Sequence, residues 1–238
     1  SENSNGELKY ARWDGAAWMI ETVDTDGYVG GFNSLALDSS DYAHIAYNDY
    51  TNRALKYARW DGDSWLIETV DSAGDVGYWI SLALDDFGYP HISYAADYRE
   101  DLKYAYWDGT EWRIETVDSV GFVGSFSSLA LDSSDRPHIS YYDSTNGALK
   151  YARWDGVEWQ IETVDSTGNV GGWTSLALDS NNYPHISYSE NSNGELKYAR
   201  WDGAAWMIET VDTEDSAGIC TSLAIDSNDY PHISYGYF

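Results

Sequence analysis

The chain has 238 residues, of which 16% are aromatic, and its formal net charge is −27 at pH 7. This charge excludes nucleic acid as an expected partner, because phosphate backbones bind basic surfaces. It equally disfavours an anionic membrane surface. No apolar run approaches the roughly 20 residues of a membrane-spanning helix, and no signal peptide is visible at Ser1. A single cysteine, Cys220, means that no internal disulfide is expected.

The chain is built from repeats of 47 residues. Its first segment, Ser1–Thr25, returns without a change at Ser189–Thr213. The tripeptide Leu-Lys-Tyr recurs with this period, starting at Leu8, Leu55, Leu102, Leu149 and Leu196. All five histidines follow the same period: His44, His91, His138, His185 and His232. A fixed period of this size is the signature of a repeat architecture.

Each repeat contains four short segments with the character of β-strands. In the fourth repeat these segments, called strands a to d, are Leu176–Asp179, His185–Tyr188, Leu196–Trp201 and Trp206–Val211. They alternate or are rich in aromatic residues, and Asp, Asn, Gly or Pro bounds them. Five repeats of four antiparallel strands predict an all-β, five-bladed β-propeller. A solenoid is the alternative, but it needs polar capping repeats, and neither terminal repeat has that character.

The strand order at the two ends predicts how the ring closes. Residues 1–24 contain a strand c and a strand d, whereas residues 222–238 contain a strand a and a strand b. We therefore expect residues 1–238 to form one propeller domain in which these two segments combine into the closing blade. Such pairing removes exposed strand edges. A stretch cut from a longer array of the same repeats would show the same strand order.

The motif Trp-Asp-Gly-x-x-Trp joins strands c and d, and it begins at Trp13, Trp60, Trp107, Trp154 and Trp201. Asp-Gly is typical of a tight turn, and this turn makes the two tryptophans cross-strand partners. In this register Arg12 faces Met19, whereas in the third repeat Tyr106 faces Arg113, so the arginine has changed strands. We expect packing roles for these residues, although tryptophans on an outer rim also suit stacking on sugars.

The histidines and the recurring aspartates are expected to be structural. Each histidine begins a strand b, one step away from the axis, and five-fold symmetry keeps the five imidazoles too far apart to share an ion. Aspartates such as Asp24 and Asp38 follow strands, where they are typical turn residues. Their surroundings lack the alternating ligand pattern of a calcium loop. We predict no metal site and no cofactor.

The positions that vary between repeats point to a ligand site. In the glycine-containing loop between strand d and the next strand a, one position carries Cys220 in the fifth repeat and an aromatic residue in the others: Phe32, Trp79, Phe126 and Trp173. The b–c loops on the same face are rich in Asp, Asn, Tyr and Ser, and their aspartates include Asp49, Asp97 and Asp143. Aromatic faces beside polar groups are typical of ligand pockets, so these seven residues form the predicted ligand-binding set. Rings that only plug the central channel are the alternative.

Units of the type LALDSSxxPHISYYDxxNxxLKYAxWDGxxW run through the whole chain, as at Leu129–Trp159. They resemble the repetitive β-propellers of bacteria and archaea. In blade number and blade length the chain is also similar to the five-bladed tachylectin-type lectins, which bind N-acetylated sugars. The sequence motifs of those lectins are missing, so no binding residues carry over. The resemblance implies the fold and says little about function.

Near-identical repeats imply near-identical sites, and several weak sites in one rigid ring gain avidity. We therefore predict a non-enzymatic, lectin-like module that binds a glycan or another cell-surface ligand. We expect it to be a monomer located outside the cell or on its surface. A protein-interaction scaffold is the main alternative. A glycoside hydrolase of sialidase or arabinanase type needs an asymmetric catalytic set, for which the repeats supply no odd residues.

Overall fold

The structure, a computed structural model, describes residues 6–96, 101–192, 194–214 and 217–236. These residues form twenty β-strands and no helix. They accordingly hold no helical segment long and apolar enough to span a membrane. The all-β prediction is confirmed for the described part of the chain.

The strands follow one another in hairpins along the chain. The N-terminal pair consists of β1 (Leu8–Trp13) and β2 (Trp18–Asp24). Sheet I contains β3 (Val29–Leu37), β4 (Ala43–Asp49), β5 (Ala54–Trp60) and β6 (Trp65–Asp71). Sheet II contains β7 (Val76–Leu84), β8 (Pro90–Ala96), β9 (Asp101–Trp107) and β10 (Trp112–Asp118).

The next two repeats have the same organisation. Sheet III contains β11 (Val123–Leu131), β12 (Pro137–Asp143), β13 (Ala148–Trp154) and β14 (Trp159–Asp165). Sheet IV contains β15 (Val170–Leu178), β16 (Pro184–Glu190), β17 (Glu195–Trp201) and β18 (Trp206–Asp212). The C-terminal pair consists of β19 (Ile219–Ile225) and β20 (Pro231–Gly236). Repeated four-stranded antiparallel sheets of this kind form a propeller-like repeat architecture.

Aspartate side chains shape the turns at one end of every sheet. The Asp38 carboxylate accepts hydrogen bonds from the backbone N–H groups of Ser40 and Tyr42, at 2.8 and 2.9 Å. The Asp61 carboxylate does the same in the turn between β5 and β6, where Gly62 has a φ of 100°. Aspartate and glycine are favoured in such turns for these two reasons. The predicted turn role of Asp38 is confirmed.

The predicted register between strands c and d is also confirmed. Trp13 pairs with Trp18 and Arg12 with Met19, and the third repeat pairs Tyr106 with Arg113. The predicted bounds of strand a are wrong, because β15 begins at Val170 rather than at Leu176. Strand a takes in the glycine-containing stretch that was predicted as a loop, and it does so through irregularities in its pairing with strand b.

The N-terminal and C-terminal pairs contain the two halves of the predicted closing blade. Each is a separate two-stranded sheet, and the described strands show no hydrogen-bonded pairing between β1 and β20. The histidine of β20, His232, has a side chain that is 68% exposed, whereas the corresponding side chain of His44 is 7% exposed. The terminal pairs thus present faces that the complete sheets bury.

The apolar core is a series of interfaces between consecutive sheets. Sheets I and II share a cluster that includes Leu55, Tyr57, Val76 and Ile92. Equivalent clusters join sheet II to sheet III and sheet III to sheet IV. A fourth cluster joins the N-terminal pair to sheet I. Each sheet is therefore stabilised mainly by its two neighbours.

A buried ion pair accompanies each of these interfaces. Asp24, at the end of β2, accepts hydrogen bonds from Tyr47 of β4 at 2.6 Å and from Lys56 of β5. Three further Asp–Lys pairs repeat the arrangement: Asp71 with Lys103, Asp118 with Lys150, and Asp165 with Lys197. Burial opposes ionisation of Asp24, but the bonds from lysine and tyrosine outweigh it and lower the pKa of the carboxyl group. Asp24 was predicted as an end-of-strand residue, and this link to the next sheet was not foreseen.

We expect Lys150→Met to destabilise the protein strongly. The substitution leaves the Asp118 carboxylate buried without its cation, and breaking a buried ion pair in this way costs about 3–5 kcal/mol. Urea unfolding at neutral pH measures the cost, with Lys150→Arg as the control that retains the charge. An unchanged free energy of unfolding in Lys150→Met would show that the pair does not hold the sheets together.

Candidate functional site

The four aromatic residues predicted to bind ligand lie together near the inner strands. Each occupies an inner strand with a positive φ between 46° and 56°, a conformation that bulky residues adopt only under strain. Their rings form a continuous series, with centroid distances of 4.8 Å from Phe32 to Trp79, 4.2 Å from Trp79 to Phe126 and 4.6 Å from Phe126 to Trp173. The structure therefore brings these rings into one cluster rather than four separate sites.

This axial cluster lines a cavity of about 280 Å³, together with Cys220. Hydroxyl groups of the next sheet fix the strained backbone: Ser127 donates to the carbonyl of Trp79 at 2.7 Å, and Thr174 donates to that of Phe126 at 2.8 Å. Thr221 donates to the carbonyl of Trp173 in the same way, at 2.7 Å. The rings are held by both packing and hydrogen bonds.

The predicted aspartates lie in the loops between strands b and c. The Asp49 carboxylate accepts hydrogen bonds from the backbone and side-chain nitrogens of Asn52, at 3.0 and 2.8 Å. Asp143 and Asn146 repeat these two bonds at the same distances. Asp97 lies outside the described residues. Both described carboxylates are buried, and the hydrogen bonds that they accept come from residues of their own loops.

A second set of cavities lies on the opposite face, between consecutive sheets. They open where the a–b and c–d turns lie, and here they are called clefts. Cleft I/II has a volume of about 390 Å³, cleft II/III about 290 Å³ and cleft III/IV about 370 Å³. A fourth cavity, between sheet IV and the C-terminal pair, has about 540 Å³. The sequence analysis did not foresee them.

Cleft I/II illustrates how the two sheets share the site. Sheet I contributes His44, Tyr57 and Glu68, and sheet II contributes Trp107 and Trp112. The indole N–H of Trp112 donates to the Glu68 carboxylate at 3.0 Å, and its ring lies edge-on to Tyr57 at 5.3 Å. The cleft therefore places aromatic rings next to a carboxylate that still has free acceptor capacity.

The tryptophans have the packing role that was predicted and also line the clefts. Trp60 contacts its cross-strand partner Trp65 in an edge-on arrangement at 5.6 Å. Trp60 and Trp107 both belong to the lining of cleft I/II. In cleft III/IV the Nε1 atom of Trp206 is buried and has no hydrogen-bond partner among the described residues. That atom is an unused donor within a lined cavity.

One histidine, near the start of strand b, lines each cleft. Nδ1 of His44 is hydrogen-bonded to the Tyr57 hydroxyl, and its Nε2 lies 3.5 Å from the Asp38 carboxylate. Burial lowers the pKa of His44, although Asp38 opposes this shift. Burial likewise lowers the pKa of His138, to about 4. The histidines of the four complete sheets are thus buried connectors between strands, as a packing role requires, whereas His232 of the C-terminal pair is exposed.

An arginine and a tyrosine line every one of the four clefts. In three of them the arginine is on strand c of the first sheet and the tyrosine is in the a–b turn of the next, as with Arg59 and Tyr89. Cleft II/III has the reverse order, with Tyr106 on strand c and Arg136 in the turn. Among the described residues, no group of three or more His, Cys, Asp or Glu could hold a metal ion.

Comparisons with known proteins identify the fold and not the family. No protein-family model matches the chain, and no curated protein matches it. A Dyadobacter fermentans protein of unknown function is similar in structure, with a TM-score of 0.64 and 11% identity over 93% of this chain and 77% of that one. A Hadza microbial sialidase, Hz136, has a TM-score of 0.58 and 9% identity, covering 92% of this chain and 59% of that one.

A fucose lectin from Kordia zhangzhouensis, solved with methyl-fucoside, is 26% identical over 57% of this chain and 99% of that one. Its TM-score is 0.40, too low to support an argument about this chain. The similar structures thus include a lectin, an enzyme and a protein without known function. Likeness at 9–11% identity shows a shared fold alone, and one fold serves many functions.

We expect the thermal stability to fall as the pH is lowered from 6.5 towards 4. Because burial lowers the pKa of His138 below its ordinary value, the unfolded chain binds the proton more readily than the folded chain. Each such histidine contributes up to about 1.4 kcal/mol per pH unit. Comparing wild type with His138→Gln at a series of pH values measures this dependence.

The value at pH 8 is the internal control, since histidine is neutral there in both states. The difference between the two proteins at pH 8 gives the cost of the lost hydrogen bond, and the change in slope between pH 4 and 6.5 gives the protonation effect. Identical slopes in that window would contradict the burial of a neutral His138.

Proposed function

We propose that the protein is a non-enzymatic, multivalent carbohydrate-binding module whose sites are the clefts between sheets. The observation that carries the proposal is the recurrence of one cleft, with the same kinds of side chain, at every junction between complete sheets. Several equivalent weak sites on one rigid body gain avidity towards a repeated ligand. Glycans on a surface present such repeats.

The chemistry of the clefts suits a neutral saccharide. Tryptophan and tyrosine rings offer apolar faces to the C–H face of a sugar, and Glu68 offers acceptors to its hydroxyl groups. The guanidinium of Arg59 supplies donors in a planar fork. Carboxylates such as Asp38 and Glu68 outnumber the single arginine in cleft I/II, which disfavours an anionic sugar.

Repetition also supports binding over catalysis. Glycosidases use two carboxyl groups with different tasks and therefore different surroundings. The clefts instead repeat one arrangement, and their histidines are buried and hydrogen-bonded within the sheet. A protein-interaction scaffold is the remaining alternative, since the same clefts could receive side chains of a protein partner. Binding to saccharides in the absence of protein separates the two proposals.

The axial cluster is proposed as a second ligand surface. Phe32, Trp79, Phe126 and Trp173 face one cavity, so this surface would take one ligand rather than four. Asp49 and Asp143 are bonded within their own b–c loops, and we propose that they and Asp97 shape the loops beside this surface. We propose a location outside the cell or on its surface, where glycan ligands are found.

We also infer that the chain closes into a five-bladed ring. Asp212, at the end of β18, accepts a hydrogen bond from Tyr235 at 2.7 Å, as Asp24 does from Tyr47. No lysine contacts Asp212 among the described residues, and the repeat pattern assigns that place to Lys9 of β1. Pairing β1 with β20 would supply this cation and would cover His232. It would also bring Trp13 and Trp18 to the open side of the fourth cleft.

We expect the triple variant Arg59→Ala, Arg153→Ala and Arg200→Ala to lose glycan binding without losing stability. These side chains are exposed, so their removal leaves no buried cavity. Hydrogen bonds from charged groups contribute about 1.5–3 kcal/mol each, so binding to a glycan array should fall at least ~10-fold. Arg53→Ala, on the other face, is the matched control.

The same array separates the two proposed surfaces. Loss of binding in the triple arginine variant with normal binding in Trp79→Ala places the ligand in the clefts. The reverse result places it in the axial cavity. Absence of binding by wild type to every glycan on the array would contradict the proposed function and favour the scaffold.

Ring closure is tested by exchanging the charges of Lys9 and Asp212. We expect Lys9→Asp and Asp212→Lys each to lower the melting temperature, and the double variant to recover most of the loss, because the pair is restored with its sign reversed. The control is a mixture of the two single variants. Recovery in that mixture, with a doubled mass in solution, would show that the ends pair between two chains rather than within one.

A further inference from the structure

Cleft II/III differs from its neighbours in a coordinated way. On strand c, Tyr106 stands where sheets I, III and IV have Arg59, Arg153 and Arg200. In the facing turn, Arg136 stands where the other clefts have a tyrosine such as Tyr89. The arginine and the tyrosine have exchanged sides, so both residue types line the cleft from opposite sheets.

The tyrosine of this cleft is held in an aromatic stack. The Tyr106 ring lies 5.5 Å from Tyr104, with an angle of 28° between the planes. It lies 5.9 Å from His91, with an angle of 18°. The Tyr106 ring therefore stacks on two neighbouring rings where the other clefts have a guanidinium group. Trp159 stands edge-on to Tyr104 at 5.3 Å and completes an apolar lining.

The arginine of this cleft is already bound within its own sheet. Arg136 donates to the Asp132 carboxylate from Nε at 2.7 Å, and its terminal nitrogen lies 2.7 Å from the same carboxylate. Both nitrogens reach the same carboxylate oxygen, and the pair holds the guanidinium against its own turn. In contrast, the structure shows no salt bridge from Arg59, Arg153 or Arg200 to any described carboxylate.

We propose that the strand-c position occupied by Arg59, Tyr106, Arg153 and Arg200 determines the specificity of each cleft. A cleft whose strand-c arginine makes no salt bridge binds the hydroxyl groups of a saccharide, with the arginine as donor and the glutamate as acceptor. Cleft II/III has the acceptor, Glu115, but its arginine is held at Asp132 in the turn and Tyr106 takes the strand-c position. It therefore binds a hydroxyl-rich sugar weakly. This inference rests on the proposed function of the clefts.

The repeats themselves supply the variant that tests the inference. Tyr106→Arg, Arg113→Leu and Arg136→Tyr together give cleft II/III the residues that cleft I/II has at Arg59, Leu66 and Tyr89. These residues already stand together in the same protein, which favours correct folding. The reverse variant, with Arg59→Tyr, Leu66→Arg and Tyr89→Arg, gives cleft I/II the composition of cleft II/III.

Native mass spectrometry counts the bound sugars at each concentration, with methyl glycosides of glucose, galactose, mannose and N-acetylglucosamine as probes. We expect the forward variant to bind one more molecule than wild type at the same concentration, through a gain of at least ~10-fold in affinity at the altered cleft. The reverse variant should bind one molecule fewer. Melting temperatures identify any variant that fails to fold, and the other variant then decides.

Two outcomes would overturn the inference, and they are distinguishable. If wild type binds a probe and the count is unchanged in a folded forward or reverse variant, the strand-c position does not set specificity, while the proposed function stands. If wild type and both variants bind none of the probes, the carbohydrate function falls and this inference falls with it.

Discussion

The arrangement of the sheets depends on a buried carboxylate at the end of strand d in the N-terminal pair and in sheets I to III. This aspartate is removed from water and would be costly to ionise by itself. It is stabilised by a lysine and a tyrosine that belong to the next sheet, as with Asp118, Lys150 and Tyr141. Because one misplaced partner leaves a buried charge unpaired, the contact tolerates only a narrow range of positions between neighbouring sheets.

The clefts are a consequence of that fixed position. The ion pairs join the sheets near one face, whereas the clefts open at the other face, where the tryptophan-bearing turns lie. The space between the sheets is lined by Trp107 and Trp112 of one sheet and by Arg59 and Glu68 of the other. A site formed in this way recurs wherever the junction recurs, and this recurrence is the basis of the proposed multivalent binding.

The positions at which the repeats differ distinguish one cleft from another. Where the other clefts have arginine on strand c and tyrosine in the facing turn, cleft II/III has Tyr106 and Arg136 in the opposite positions. The inner aromatic positions show a different pattern, since Phe and Trp alternate there and their rings fill one shared space.

The sequence by itself determined the local structure of this protein. The period of 47 residues, the four strands of each repeat and the pairing of Trp13 with Trp18 all follow from turn residues and from alternation within a hairpin. The turn role of Asp38 follows in the same way, because its carboxylate meets backbone groups only a few residues away. Such contacts do not depend on the position of the neighbouring sheets.

Only the tertiary structure decided how one sheet meets the next. The Asp118–Lys150 pair joins residues 32 apart, and the bond from Trp112 to Glu68 joins residues 44 apart, and both depend on the distance and rotation between sheets. The inner aromatic residues show the same limit: Trp79 was assigned to a loop, yet it lies within β7 at a φ of 52°. A positive φ at a bulky residue forms only where packing from neighbouring sheets outweighs the local backbone preference. The sequence of a single repeat does not determine that packing.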